Sequence, residues 1–270
     1  MRCHYLSDLH LESEMFDQRL PKGDVLIIAG DLCHARCLDP AFTDKYSVDQ
    51  GARVMRFIDE ARTNFAHVLL AAGNHEHYDG VFEDTVPLLR RYLPGITVLD
   101  NETVEIDGVR FFGSTLWSNF EGRNQASMDG IRRRMGEYFF VKTRGSTDDA
   151  RPLRRFQPED ALRAHDTAWE ALVRAVKAGT GKPTVVITHH APSKLGCNPE
   201  FVGNGLDGAY YSALDDDISA LESVPYWIHG HTHVAKTYPI GRTMVSSNAR
   251  GFTSKGQGAR GFTSNACIDV

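Results

Sequence analysis

Five short apolar runs in this chain end in polar residues of the same few kinds. "RCHYL" runs into "SDLH", "DVLIIA" into "GDLCH", "HVLLAA" into "GNHEH", "TVVIT" into "HHAP" and "YWI" into "HGHTH". Unbroken apolar runs of this length suit strands buried on both faces. Helical patterns lie between them. Val54, Phe57, Ile58 and Ala61 recur at helical spacing between about Val48 and Asn64. A second helix is predicted from about Pro158, a good first-turn residue, to Lys177, with Gly179 as its stop. A third is predicted from near Ser212 to before Pro225. "ITVLDN", "TVEID" and "VRFFGSTLW" read as consecutive strands, with an Asp107-Gly108 hairpin turn. Strand–helix alternation at both ends, with extra strands between, predicts a layered α/β domain. Ligands in such folds sit beyond the carboxyl ends of the strands, where every polar cluster falls.

The 270 residues suit one large domain or two small ones. The reading adopted is a single domain over 1–270 with a basic insertion at about 121–155. The net charge of -5 argues against a general nucleic-acid binder. No run approaches the ~18–20 apolar residues of a membrane helix. The first residues turn polar too soon for a signal peptide. Five cysteines without regular spacing fit a reducing cytoplasm. Cys33 and Cys37 resemble half a zinc site, but no second pair completes it.

The polar strand ends collect Asp8 and His10; Asp31; Asn74, His75 and Glu76; His189 and His190; and His229, His231 and His233. In Asp8-Leu9-His10 and His231-Thr232-His233 the paired residues are two apart. On an extended segment they would share one side, with Leu9 and Thr232 pointing away. Carboxylates, an amide and imidazoles together suit Mn, Fe or Zn better than Ca or Mg. The set exceeds what one tetrahedral zinc requires. Two ions sharing a carboxylate, about 3.5–4 Å apart, would use it.

D-x-H, G-D, G-N-H-E, H-H and G-H-x-H in this order resemble the calcineurin-like metallophosphoesterase superfamily. The motifs span residues 7 to 233. The resemblance implies a four-layer αββα sandwich, two mixed β-sheets flanked by helices, with the metal site at strand C-terminal ends. It implies that Asp8, His10 and His233 hold one divalent transition-metal ion, that Asn74, His189 and His231 hold another, and that Asp31 bridges them. His75 would face the substrate phosphate as hydrogen-bond donor or general acid. A hydroxide bridging the two ions would attack phosphorus in a phosphomonoester, a phosphodiester or a nucleotide pyrophosphate. The expected partner is a small phosphate ester, with no membrane and no nucleic acid. The alternatives are a nuclease and a catalytically silent scaffold of the same fold.

His229 is expected to face away or to support the site from behind. His190 is expected to pack, or to replace His189 if the register slips by one. His4, His34, His67, His77 and His165 read as ordinary surface or core residues. In the protein-phosphatase members an aspartate three residues after the bridging one partners the catalytic histidine. Here that position is His34, and "GDxxDRG" is absent, which argues against protein phosphatase activity. The insertion's Arg123, Arg132, Arg133, Arg134, Lys142, Arg144, Arg151, Arg154 and Arg155 read as a solvated surface or as a rim that attracts anions. "ARGFTS" occurs twice, at Ala249–Ser254 and Ala259–Ser264, with no function derivable from the sequence.

Overall fold

The computed structural model describes residues 1–145, 152–199 and 202–270. Eleven of its strands build two mixed sheets. The first sheet contains β1 (Arg2–Leu6), β2 (Gly23–Ile28), β3 (Phe65–Ala71) and β4 (Thr97–Leu99), side by side and parallel. The second contains β5 (Glu102–Ile106), β6 (Val109–Ser114), β7 (Thr184–Thr188), β8 (Tyr226–His229), β9 (Ala235–Ile240) and β10 (Thr243–Asn248), in the order 9-10-8-7-6-5. Within it β6, β7, β8 and β10 are parallel, and β5 and β9 are antiparallel edges. The last strand, β11 (Cys267–Asp269), closes the first sheet antiparallel to β1. The β9–β10 hairpin and β11 lie beyond the last motif and were not expected from the sequence.

The unbroken apolar runs serve two cores at once. Val25 and Ile27 of β2 and Leu69 and Ala71 of β3 point between the sheets, where they meet Phe111, Val185, Ile187 and Ile228. Their neighbours Leu26, Ile28, Val68 and Leu70 point outward onto α1 (Lys45–Asn64) and α2 (Thr85–Tyr92). On the far side Phe112, Val186 and Trp227 pack under α3 (Pro158–Ala178). The result is the four-layer αββα sandwich, with period-2 alternation assigning each residue to a layer.

Local signals set the boundaries. Asp44 caps α1 by accepting from the Ser47 N–H at 3.1 Å. Pro158 begins α3, and Asp160 reaches back to the Gln157 N–H at 2.9 Å. Asp107 and Gly108, at φ 49° and 83°, make the β5–β6 hairpin turn. The third predicted helix shrinks to the five residues Asp215–Ser219. Three aspartates open that helix, so little of it is apolar, and only Ile218 is buried.

The basic insertion is neither bare rim nor loose surface. Its helical segments Gln125–Ile131 and Glu137–Phe140 bury Met128, Ile131 and Tyr138 against Trp117 and Phe156. Four of its seven described arginines pair with acids: Arg123 with Asp166, Arg132 with Glu159, Arg144 with Asp84 and Arg154 with Asp160. Arg151 lies outside the described residues.

Candidate metal centre

The five polar loops begin where β1, β2, β3, β7 and β8 end, and the fold brings them to one crevice. The two sheets are joined there: the Ser7 and Asp8 carbonyls accept from the Arg250 and Gly251 N–H groups, each at 3.0 Å. The D-x-H and H-x-H pairs are not extended. Asp8, His10, Asp31, His231 and His233 adopt left-handed backbone, with φ between 49° and 67°. Such conformations cost on the order of 1–3 kcal/mol each and persist only where the surroundings enforce them. Tight loops thus aim these side chains, in place of strand alternation. Leu9 turns into the outer core as expected, but Thr232 lines the crevice.

Glu76 enforces part of this geometry. Its buried carboxylate accepts the backbone N–H groups of Asp31, Leu32, Cys33 and Gly73 at 2.6–3.2 Å. It therefore staples the loop after β2 to the loop after β3. Gly30 is obligatory beside it, because its φ is 86° and a Cβ there would strike the His189 ring.

Two clusters result. Asp8, His10 and His233 place their potential ligand atoms within 4.8 Å of one another, and so do Asp31, His189 and His231. Asn74 joins the second cluster, with Oδ1 3.0 Å from His189 Nε2. Asp31 belongs to both sides, since it also groups with His10 and His75. All seven residues expected from the motifs meet here. His75 stands at the mouth, its Nε2 4.0 Å from Asp31 and its side chain 18% exposed.

The donor set fits two cations. His189 Nδ1 lies 2.8 Å from the Ala29 carbonyl, His10 Nδ1 2.9 Å from Glu12, and His231 Nε2 3.2 Å from the Ala209 carbonyl. With one ring nitrogen donating outward, each imidazole turns a lone pair inward. His189 Nε2 then faces the oxygens of Asn74 and Asp31, the latter at 3.3 Å, and His10 Nε2 faces His233 Nε2 at 3.0 Å. Lone pairs opposed at such distances repel unless a cation or a proton lies between them. Electrostatics agree. Asp31 and Asp8 draw positive charge to this spot: burial alone would lower the His189 pKa, yet they push it up to about 9, a demand that either a proton or a cation beside Nε2 meets. Burial would raise Asp8, but His233 holds it down at about 2. Burial keeps His231 neutral, near 3.

The remaining histidines sort by direction. His229 points away, its Nε2 3.2 Å from the Tyr238 hydroxyl. His190 packs beside His231, with ring centres 4.1 Å apart and planes tilted by 37°, and contacts the Thr115 carbonyl, so His189 is the one that faces Asp31. His34 is not ordinary. It groups with Glu12 and His75 at the rim, its Nδ1 3.7 Å from Asp79.

Three contributors lie outside the motifs. Glu12 binds His75 Nδ1 at 3.0 Å as well as His10. Its signal was the spacing, since Asp8, His10 and Glu12 continue one two-residue period. Tyr78 stacks on His75 with centres 4.3 Å apart. Phe252 stacks on His10 at 3.9 Å. Phe252 comes from the first "ARGFTS", whose Arg250 is buried against the carbonyls of Leu9 and Met15. The second copy instead turns Phe262 edge-on to Phe16 in the outer core. No sequence pattern foretells that division.

The family model for calcineurin-like phosphoesterases matches residues 1–235. The chain belongs to this family. An uncharacterized protein of Acanthamoeba polyphaga mimivirus is 23% identical over 295 residues, covering 98% of this chain and 95% of that protein. The crystal structure of phosphopantetheinyl hydrolase from Mycobacterium tuberculosis superposes with a TM-score of 0.63 at 16% identity, covering 94% of this chain and 90% of that one. The likeness to that hydrolase is one of fold. Within the calcineurin-like phosphoesterases this chain departs from the protein-phosphatase pattern at His34, and a carboxylate from another loop, Glu12, contacts His75 instead. Among the described residues, no helix is long and apolar enough to cross a membrane.

Proposed function

We propose that this chain is a phosphoesterase dependent on two divalent transition-metal ions, Mn, Fe or Zn, and that it hydrolyses phosphomonoesters or phosphodiesters of small molecules. The observation that carries this reading is Asp31, shared between one cluster of Asp8, His10 and His233 and another of Asn74, His189 and His231. Those seven residues would hold the ions. Two such ions, when bound, supply Lewis acidity toward phosphate oxygens and an activated water near neutral pH.

The chain's own residues do the rest. Glu12 fixes the His75 ring through Nδ1, so that Nε2 faces the crevice. His75 would donate a proton to the leaving oxygen. Burial opposes a charge on that ring, but Asp31 and Glu12 outweigh burial and raise its pKa to about 9. With Nδ1 held by Glu12, the N–H that the ring can offer a leaving group is the one on Nε2.

The walls favour a compact substrate. The crevice encloses about 220 Å³ and is lined by Tyr78, Met135, Tyr210 and Phe252 beside the polar cluster. Among the described residues that line it there is no lysine or arginine. A nuclease groove would need them to offset backbone phosphates. The test is metal-free protein reconstituted with Mn and offered chromogenic mono- and diesters. Hydrolysis that chelation abolishes is expected. Metal uptake without hydrolysis of any ester would favour a silent scaffold, and no uptake would sink the reading.

A further inference from the structure

We propose that Tyr78 and Glu137 form a positioning pair through which the insertion fixes the amide of Asn74 and the ring of His75. The inference rests on the reading of Asn74 as a metal ligand. An asparagine amide has two ends of similar shape, and only the oxygen can bind a cation. Something must hold the nitrogen end away. Here Asn74 Nδ2 donates to the Tyr78 hydroxyl at 3.1 Å, which leaves Oδ1 toward His189 and Asp31. Having accepted that proton, the phenol donates its own to Glu137 Oε2 at 3.3 Å. The same Tyr78 ring lies nearly parallel to His75, tilted by 23°. One side chain thus sets the orientation of a proposed ligand and of the proposed acid.

Glu137 is 1% exposed, and no lysine or arginine pairs with it among the described residues. A carboxyl buried without a cation is costly, so its contact with Tyr78 is the reason to keep it there. The insertion is built to deliver it. Asp79 donates its N–H to the Phe140 carbonyl and Lys142 to the Gly80 carbonyl, each at 3.0 Å, pinning this segment to the loop that follows His75. Gly136 allows the close approach, since a Cβ there would come within 2.7 Å of the Tyr78 hydroxyl. The insertion is rich in arginine, yet what it contributes to the site is an acid.

The experiment is calorimetric titration of Mn(II) into metal-free protein, with kcat and KM for p-nitrophenyl phosphate measured alongside. Tyr78→Phe keeps the stacked ring and deletes the hydroxyl. It should weaken one of two Mn sites by roughly 10–100-fold, the usual loss for a partner behind a ligand, and leave the other unchanged. kcat should fall at low Mn and recover in part at high Mn, with KM little changed. Glu137→Ala should act in the same direction, and Glu137→Gln should retain metal affinity, because its carbonyl still accepts the phenol proton. The Glu137 variants decide the matter if Tyr78→Phe does not fold. Wild-type affinity at both sites in Tyr78→Phe and Glu137→Ala would overturn the inference alone, as would equal losses in Glu137→Ala and Glu137→Gln. A wild-type protein that takes up no Mn would overturn the functional reading and this inference with it.

Discussion

Glu12 Oε1 accepts from Nδ1 of His75 at 3.0 Å, across 63 residues of chain, while holding His10 at 2.9 Å. One buried carboxylate therefore orients a proposed ligand and the proposed acid. Burial would raise its pKa, but the two imidazoles hold it well below the usual carboxylate range, so it stays ionised. Glu12→Ala should lower kcat by about 10–100-fold and weaken metal uptake, with Glu12→Gln milder. Steady-state kinetics and elemental analysis check this, and wild-type values in both would remove Glu12 from the mechanism.

His75→Ala should cut kcat by about 10²–10⁴-fold, the range for a positioned acid, while both ions stay bound. The loss should shrink for esters of good leaving groups such as p-nitrophenol, which need little protonation. Equal losses across leaving groups would leave His75 with charge stabilisation only. A vacated metal site would mean that it is a ligand.

Asp31 lies between both clusters and Asn74 in one. Asp31→Asn should therefore lower the content of both ions, and Asn74→Ala that of one. Metal-to-protein ratios after reconstitution decide it, and a larger effect from Asn74→Ala would contradict the shared role.

His229 is buried, and desolvation lowers its pKa from 6.5 to about 4. The unfolded chain then binds a proton that the folded chain refuses. Stability is full above pH 6.5 and falls as pH drops from 6.5 toward 4. The contribution is on the order of 3 kcal/mol at most. Urea unfolding of the wild type should weaken more between pH 7 and pH 5 than that of His229→Gln. Parallel pH dependence would refute the assignment.

Arg132 pairs with Glu159 at 2.6 Å, joining the insertion to the first turn of α3. Arg132→Gln should lower the melting temperature slightly, since partly exposed ion pairs are worth about 0–1 kcal/mol. It should leave KM and its salt dependence unchanged. A higher KM at low salt would restore the anion-attracting rim.

The sequence by itself determined the layers and the constellation. Strands buried on both faces must be apolar at every position, and metal-binding loops need histidines and carboxylates directly after them, so both are written as contiguous runs. The spacing in "SDLH" and "GHTH" placed the proposed ligand pairs, though not the left-handed backbone that aims them. What only the tertiary structure decided are contacts between residues far apart in the chain. Glu12 on His75, Glu137 on Tyr78 and Phe252 on His10 join separate loops, and local pattern carries no information about which loops meet. The insertion's charge pairing is likewise a matter of contacts. The insertion's arginines stand out in sequence because their acidic partners lie outside it, Asp84 before it and Glu159, Asp160 and Asp166 after it. The two copies of "ARGFTS" diverge because identical residues meet different surroundings, one against the crevice and one against the outer core.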